Sequence, residues 1–496
     1  MKVDDTGVTA SNLYFSEYFG VSSDVLNDYG AFDISVVSDL PLFIDPFLLF
    51  NSERDEYQKL HEQIIEYLVF LRDNARPDLD PGLIKAWYRF KEVKENWLGF
   101  TLFGNGGRAL GDDFARALHA SLGSILNDFG NEKITQGSHL EKLSLIKPGV
   151  GRDSISDFTT NLIKDYLLEY TQAFARKHID PSLCDTFSVT RAKFNYQTKS
   201  WMTIKYYLPR RGNEFVVLTP SDLLTKDETW INHSDMINTF DHLPGAIEDD
   251  SLRGQINAYF MSRMGDKPSA QERAAAAQAT IGKFKELIDV YIRQKEDRGD
   301  EAAATSTEKT QNTYDTLVAQ VRTLIPDLAE KTKFYDKPWS SYDEARARVL
   351  DFKNYVENQD GYQLINPSGD TQRLSQEKEV QLFFGLIWCA TDFDVNREPN
   401  NGRGPVDFKV SYGAKDKSLI EFKLAKSSSL KRNLEKQVEI YEKANGTRSS
   451  VKVIICYTEA DQSKVARVLT ALNLSKEEAV IVIDARNDNK PSASKA

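Results

Sequence analysis

The chain has 496 residues, 41% hydrophobic and 28% charged, with a formal net charge of −11. That is the composition of a soluble globular protein with room for about two to four domains. No run approaches the roughly 18 apolar residues of a membrane span, the Met-Lys-Val-Asp-Asp start lacks the apolar stretch of a secretory signal, and the three cysteines (Cys184, Cys389, Cys456) are far apart. These features argue against a disulfide framework or a zinc cluster and predict a cytoplasmic protein with no membrane partner.

In chain order, 33–37 reads as a strand, and 40–47, apolar with Pro41 and Pro46, as an extended buried segment. Apolar residues recur at helical spacing through Leu60, Ile64, Tyr67, Leu68 and Leu71, predicting a helix over 53–74, and a second is expected over 81–93. The Gly-rich stretch 102–111 opens a helical pattern over 112–126; it suits a tight loop with an N-cap better than a phosphate cradle, since no Lys-Ser/Thr follows. Asp153 and Asp157 precede an amphipathic helix over 159–177, either as caps or as ligands for a partner or metal. Strands are expected at 187–189, 201–208 and 214–218. Residues 1–265 thus read as one α+β domain without a catalytic signature, a candidate sensor or regulatory part.

Composition shifts at Ser269. A long charged helix is expected over 269–297, a flexible break over 298–311, a helix over 314–325 stopped by Pro326, and another over 343–357. Residues 266–370 therefore read as a helical connector, or as a dimerisation arm with a solvated face.

The last stretch, 371–496, alternates compactly. The pattern predicts a helix over 375–390, strands over 392–397, 406–412 and 418–424, a helix over 430–444 ending at Asn445-Gly446, a strand over 451–457, a helix over 461–472 and a strand over 480–484. This is an α/β order of α-β-β-β-α-β with an α-β extension. It carries 21 Lys+Arg against 17 Asp+Glu, whereas the rest of the chain carries 42 against 57. A basic excess here is permissive for a phosphate-rich partner.

Two of its strands concentrate charge. Asp407 follows Gly402-Arg403-Gly404-Pro405-Val406, and fourteen residues later comes Glu421-Phe422-Lys423 inside an apolar run. Alternation along a strand puts Glu421 and Lys423 on one face and Phe422 on the other, and a hairpin would bring Asp407 beside Glu421. Adjacent carboxylates repel unless a cation lies between them, and oxygen ligands of this kind suit Mg²⁺. All six histidines precede residue 243, which favours carboxylate and lysine chemistry here over imidazole chemistry. The competing reading is an ion pair on a solvated strand face.

The element order, with Asp407 and Glu421-x-Lys423, resembles the PD-(D/E)XK nuclease superfamily, the restriction-endonuclease-like fold, over about 372–486. The resemblance implies that Asp407 and Glu421, with the Phe422 carbonyl, hold Mg²⁺ or Mn²⁺, and that Lys423 supports an attacking water. It also implies a carboxylate on the first helix, where Glu377 fits and Glu379 is the rival, and a glutamine on the later helix, matched by Gln437 with Tyr441 one turn on. Arg397 and Arg403 are candidate phosphate contacts. The function so implied is Mg²⁺-dependent endonucleolytic cleavage of DNA in prokaryotic restriction or antiphage defence, in a homodimer or higher homo-oligomer; the architecture supplies the defence role by analogy. The alternatives are a non-catalytic nucleic-acid-binding scaffold and a repair nuclease acting on RNA or branched DNA.

Overall fold

The computed structural model describes residues 13–99, 132–146, 150–265, 267–331, 340–359, 361–366, 374–388, 393–397, 407–412, 416–435 and 449–490, with Thr391 and a few positions between 115 and 130. The chain is mixed α/β, and its largest described sheet has five strands near the C-terminus. No helix among the described residues is long and apolar enough to cross a membrane.

In the N-terminal part, strand β1 (Phe43–Ile44) will pair with a strand 180 residues later. The helix Asp55–Asn74 buries Tyr57, Leu60, Ile64, Tyr67, Leu68 and Leu71, the stripe its periodicity marks. Residues 33–37 contribute only a bridge, Tyr14 to Ser35, where a strand is expected. The amphipathic stretch near 159–177 is two helices, Arg152–Leu162 and Lys164–His178, that meet at Ile163. Both share one apolar pattern, so the change of direction leaves no mark on the periodicity. Strands β2 (Cys184–Asn195) and β3 (Ser200–Arg211) form a long antiparallel hairpin with an irregularity between Val189 and Lys193. β4 (Glu214–Phe215) extends it, and β5 (Leu224–Thr225) pairs antiparallel with β1.

The middle region is helical and packs round a core. Ile231, Met236, Leu243, Ile256, Leu287, Ile288 and Tyr291 belong to a second, separate apolar core. The expected long helix is Ala270–Lys283 and Glu286–Glu296, with Phe284 leaving helical geometry between them. The expected break at 298–311 is itself a helix, Gly299–Tyr314. Its small residues form a buried stripe of Ala302, Ser306, Thr310 and Thr313. They let the helix approach β5 closely, where Thr310 Oγ1 donates to the Leu224 carbonyl at 2.8 Å and Ser306 Oγ lies 3.3 Å from Thr225 Oγ1. The helix continues through a π-helical turn, Asp315–Ala319, into Gln320–Lys331. Pro326 lies inside that last segment and does not stop it. Buried Leu324 and Leu328 on either side hold the helix through the missing hydrogen bond.

Strands β6 (Asp394–Arg397), β7 (Phe408–Tyr412), β8 (Asp416–Leu424), β9 (Ser450–Cys456) and β10 (Val480–Asp484) form the five-stranded sheet in the order β10-β9-β8-β7-β6. β6, β7 and β8 are antiparallel neighbours, and β8, β9 and β10 run parallel. The helices Glu377–Ile387 and Ser341–Asn358 cover one face, with Phe384 between Phe352 (5.3 Å) and Phe422 (5.1 Å). Ser341 Oγ also meets Asp416 (2.6 Å) and Ser418 (2.7 Å) on β8. The helix over 341–358, expected in the connector, therefore packs as part of the C-terminal unit. Ala425, Leu430, Leu434, Ile454, Cys456, Val465 and Leu469 form a smaller core of their own, the last two from the helix Glu459–Ala471. One continuous apolar core runs from Leu13 through Leu317 and Leu328 to Ala485.

Candidate active site on the C-terminal sheet

The β7–β8 ladder starts at the pair Phe408 and Ile420, so Asp407, one residue outside it, falls beside Glu421. Ile420, Phe422 and Leu424 join the large core, and Phe408 and Phe422 stack edge-on at 5.9 Å. Strand alternation then sends Glu421 and Lys423 to the other face. The two strands clasp each other through the carboxylates. Glu421 Oε2 accepts the Asp407 N–H at 3.1 Å, and Asp407 Oδ2 accepts the Phe422 N–H at 2.5 Å. Lys423 Nζ donates to Glu377 Oε1 and to the Phe422 carbonyl, both at 2.7 Å, and lies 3.8 Å from Glu421 Oε1.

Asp407, Glu421 and Lys423 are 9%, 7% and 9% exposed, so this is not an ion pair on a solvated face. Burial pushes the Asp407 carboxyl well above the usual range, and the Glu421 charge adds to the push against the pull of Lys423. Glu421 is raised in the same direction, again by burial first, and again opposed by Lys423. Burial works against the Lys423 ammonium, but Asp407, Glu421 and Glu377 outweigh it and hold it above the ordinary lysine range.

The two helix carboxylates separate clearly. Glu377, the first residue of its helix, reaches Lys423. Glu379 is buried and accepts the N–H groups of Ser375 and Gln376 at 2.9 Å each, in a capping box with Gln376, the N-cap. Its other oxygen lies 2.6 Å from Lys226 Nζ, an ion pair that ties this helix to the N-terminal part. Lys226 carries no signal in the sequence, because its partner lies more than 150 residues away. The interlocked amides of Asp407 and Phe422 were equally beyond a reading by residue type.

Other expected residues fall elsewhere. Gln437, Tyr441, Arg403, Gly402, Gly404 and the Gly-rich stretch 102–111 lie outside the described residues. Arg397 pairs with Phe408 through its backbone. Asp153 and Asp157 do not cap their helix, whose N-cap is Gly151. Asp157 is instead drawn toward the interior, and burial, with Glu92 and Asp153 nearby, raises its carboxyl to about 7.

Among the described residues, no group of three or more His, Cys, Asp or Glu side chains is gathered closely enough to hold a metal ion. What the site offers a dication is two neighbouring carboxylates and one carbonyl, an all-oxygen set whose mutual repulsion Lys423 and the Asp407 and Phe422 amides offset. That donor chemistry fits Mg²⁺.

Two family models match the chain. One, described as a domain of unknown function (DUF8370), covers residues 20–232, and the other, also a domain of unknown function (DUF8371), covers 341–459. The second match starts at the first residue of the Ser341–Asn358 helix and takes in Glu377, Asp407, Glu421 and Lys423. No curated protein matches the chain, and neither does any solved structure.

Proposed function

We propose that the C-terminal unit is a restriction-endonuclease-like domain that hydrolyses phosphodiester bonds of DNA with Mg²⁺, and that the chain acts as a cytoplasmic restriction or defence nuclease. The observation that carries this reading is the meeting of buried Asp407, Glu421 and Lys423 with half-buried Glu377 on a five-stranded mixed sheet. Asp407, Glu421 and the Phe422 carbonyl are the groups that would hold the dication, with Mn²⁺ as a substitute. The chemistry such an ion supplies is polarisation of a phosphoryl oxygen and acidification of a water. Lys423 brings an ammonium that stays protonated and can orient that water or neutralise charge on the phosphate. Glu377 and the Phe422 carbonyl fix its position. Cutting both strands of a duplex calls for two such sites, which suits a homodimer.

The test incubates purified protein with plasmid, linear duplex, single-stranded DNA and RNA, each with Mg²⁺ and with EDTA. Cleavage of DNA with Mg²⁺ alone is expected, and its loss by about 10²-fold or more in Asp407→Asn and in Lys423→Met. Equal cleavage by the wild type and both variants ends the assignment. A second reading, a nucleic-acid-binding scaffold without catalysis, draws on one observation: the Lys423 ammonium already lies among the carboxylates that a dication would need. Duplex binding without cleavage under every metal condition would favour it.

A further inference from the structure

A separate cavity of about 480 Å³ lies in the N-terminal part, with Tyr29, Tyr57, Tyr166 and Tyr170 in its lining. The rings form a chain: Tyr29 to Tyr170 at 4.5 Å, Tyr170 to Tyr166 at 6.1 Å, and Tyr166 to Tyr57 at 6.1 Å between centroids. Three hydroxyls are committed to the protein itself. Tyr29 and Tyr170 donate to each other's backbone carbonyls at 2.8 and 3.0 Å, and Tyr57 donates to Asp222 at 2.8 Å. What these rings keep for a ligand is mainly π surface, whose face is electron-rich.

The charges around the rings are mainly negative. Glu56, Glu169 and Asp222 line the cavity with a single cation, Arg54. Arg54 is paired with Asp222 at 3.1 Å, so Glu56 and Glu169, both exposed, are the charges in excess. The Arg54 guanidinium also lies 4.9 Å from the centre of the Tyr57 ring, a cation–π contact already present in the wall. The field acts on the phenols too: Tyr29 is raised by burial and then by Glu56, and Tyr166 is pushed up to about 12 by burial and then by Glu56. An anionic ligand meets repulsion here, and an apolar one gains nothing from the two glutamates. The size is that of a small-molecule site.

We infer that this cavity binds a small organic cation, with its ammonium group against the tyrosine rings and Glu56 and Glu169 countering its charge. The inference is independent of the nuclease reading. Titration calorimetry on the full chain tests it with spermidine, with choline, and with 3,3-dimethylbutan-1-ol, the uncharged isostere of choline. Both cations should bind, spermidine the tighter, and the isostere should bind at least about tenfold more weakly than choline. Glu56→Gln and Glu169→Gln, at exposed positions, should each weaken spermidine by about fivefold. Tyr170→Leu should weaken both cations further. No heat with either cation, equal binding of choline and its isostere, or unchanged spermidine binding by the double glutamine variant would each overturn it.

Discussion

Asp407 shows how a functional side chain can work against the fold that holds it. Its carboxylate is buried, next to Glu421, and held well above the ordinary range, so the charged form is disfavoured in the folded state. Asparagine keeps the acceptor for the Phe422 N–H and removes the repulsion. Asp407→Asn should therefore raise the thermal melting temperature at pH 7 while cleavage is lost, and a fall in melting temperature would contradict the repulsion argument. His61 supplies a prediction of opposite sign. It is buried against Phe50 and His139, and burial, with His139 second, lowers its pKa from 6.5 to about 3. The unfolded chain then takes up the proton first. The stability His61 contributes is complete above pH 6.5 and is lost as pH falls toward 3. Between pH 7 and pH 5 the unfolding free energy of the wild type should drop by about 2 kcal/mol more than that of His61→Phe, measured by denaturant titration. Equal slopes would show that His61 charges freely in the folded state.

Among the elements, those with a strong period were legible, and those shaped by a neighbour were not. The helix Asp55–Asn74 and the strand Val480–Asp484 lie within two residues of where periodicity puts them. The break expected over 298–311 rests on Gly, Ala, Ser and Thr being common in linkers; in the helix Gly299–Tyr314 the same small residues permit close packing on β5. The stop expected at Pro326 rests on the missing N–H of proline. Proline in a helix interior costs about 3 kcal/mol, and here the buried residues around it bear that cost. Pro326→Ala should thus stabilise the protein by about 1–3 kcal/mol in denaturant titration. A destabilisation would mean that the proline ring itself is needed for packing.

At the scale of the whole molecule, the largest apolar cluster of the described residues draws on segments on both sides of 265 and of 370, beside two smaller cores. Arg322 is the polar counterpart of that continuity. From the helix Gln320–Lys331 it donates to Glu17 at 2.9 Å, Ser23 at 2.9 Å, Ser16 at 2.5 Å and Asp33 at 2.6 Å. The Asp33 carboxylate is fully buried. Arg322→Ala leaves that charge without its partner and should cost about 3–5 kcal/mol. Because the core is shared, the loss should appear as a shift of a single melting transition followed both by tyrosine fluorescence and by far-ultraviolet circular dichroism. Two transitions, only one of them shifted, would argue for separate folding units.

The order of the five strands of the C-terminal sheet along the chain, the placing of Glu421 and Lys423 on one strand face, and the nearness of Asp407 to them were all determined by the sequence, because alternation and hairpin pairing are local rules. Only the tertiary structure decided that Glu377 and not Glu379 reaches Lys423, that the Ser341–Asn358 helix belongs to the sheet, and that four tyrosines from distant segments line one cavity. Those outcomes depend on which surfaces meet across dozens of residues of chain or more, and burial against a distant partner leaves no period in the sequence to read.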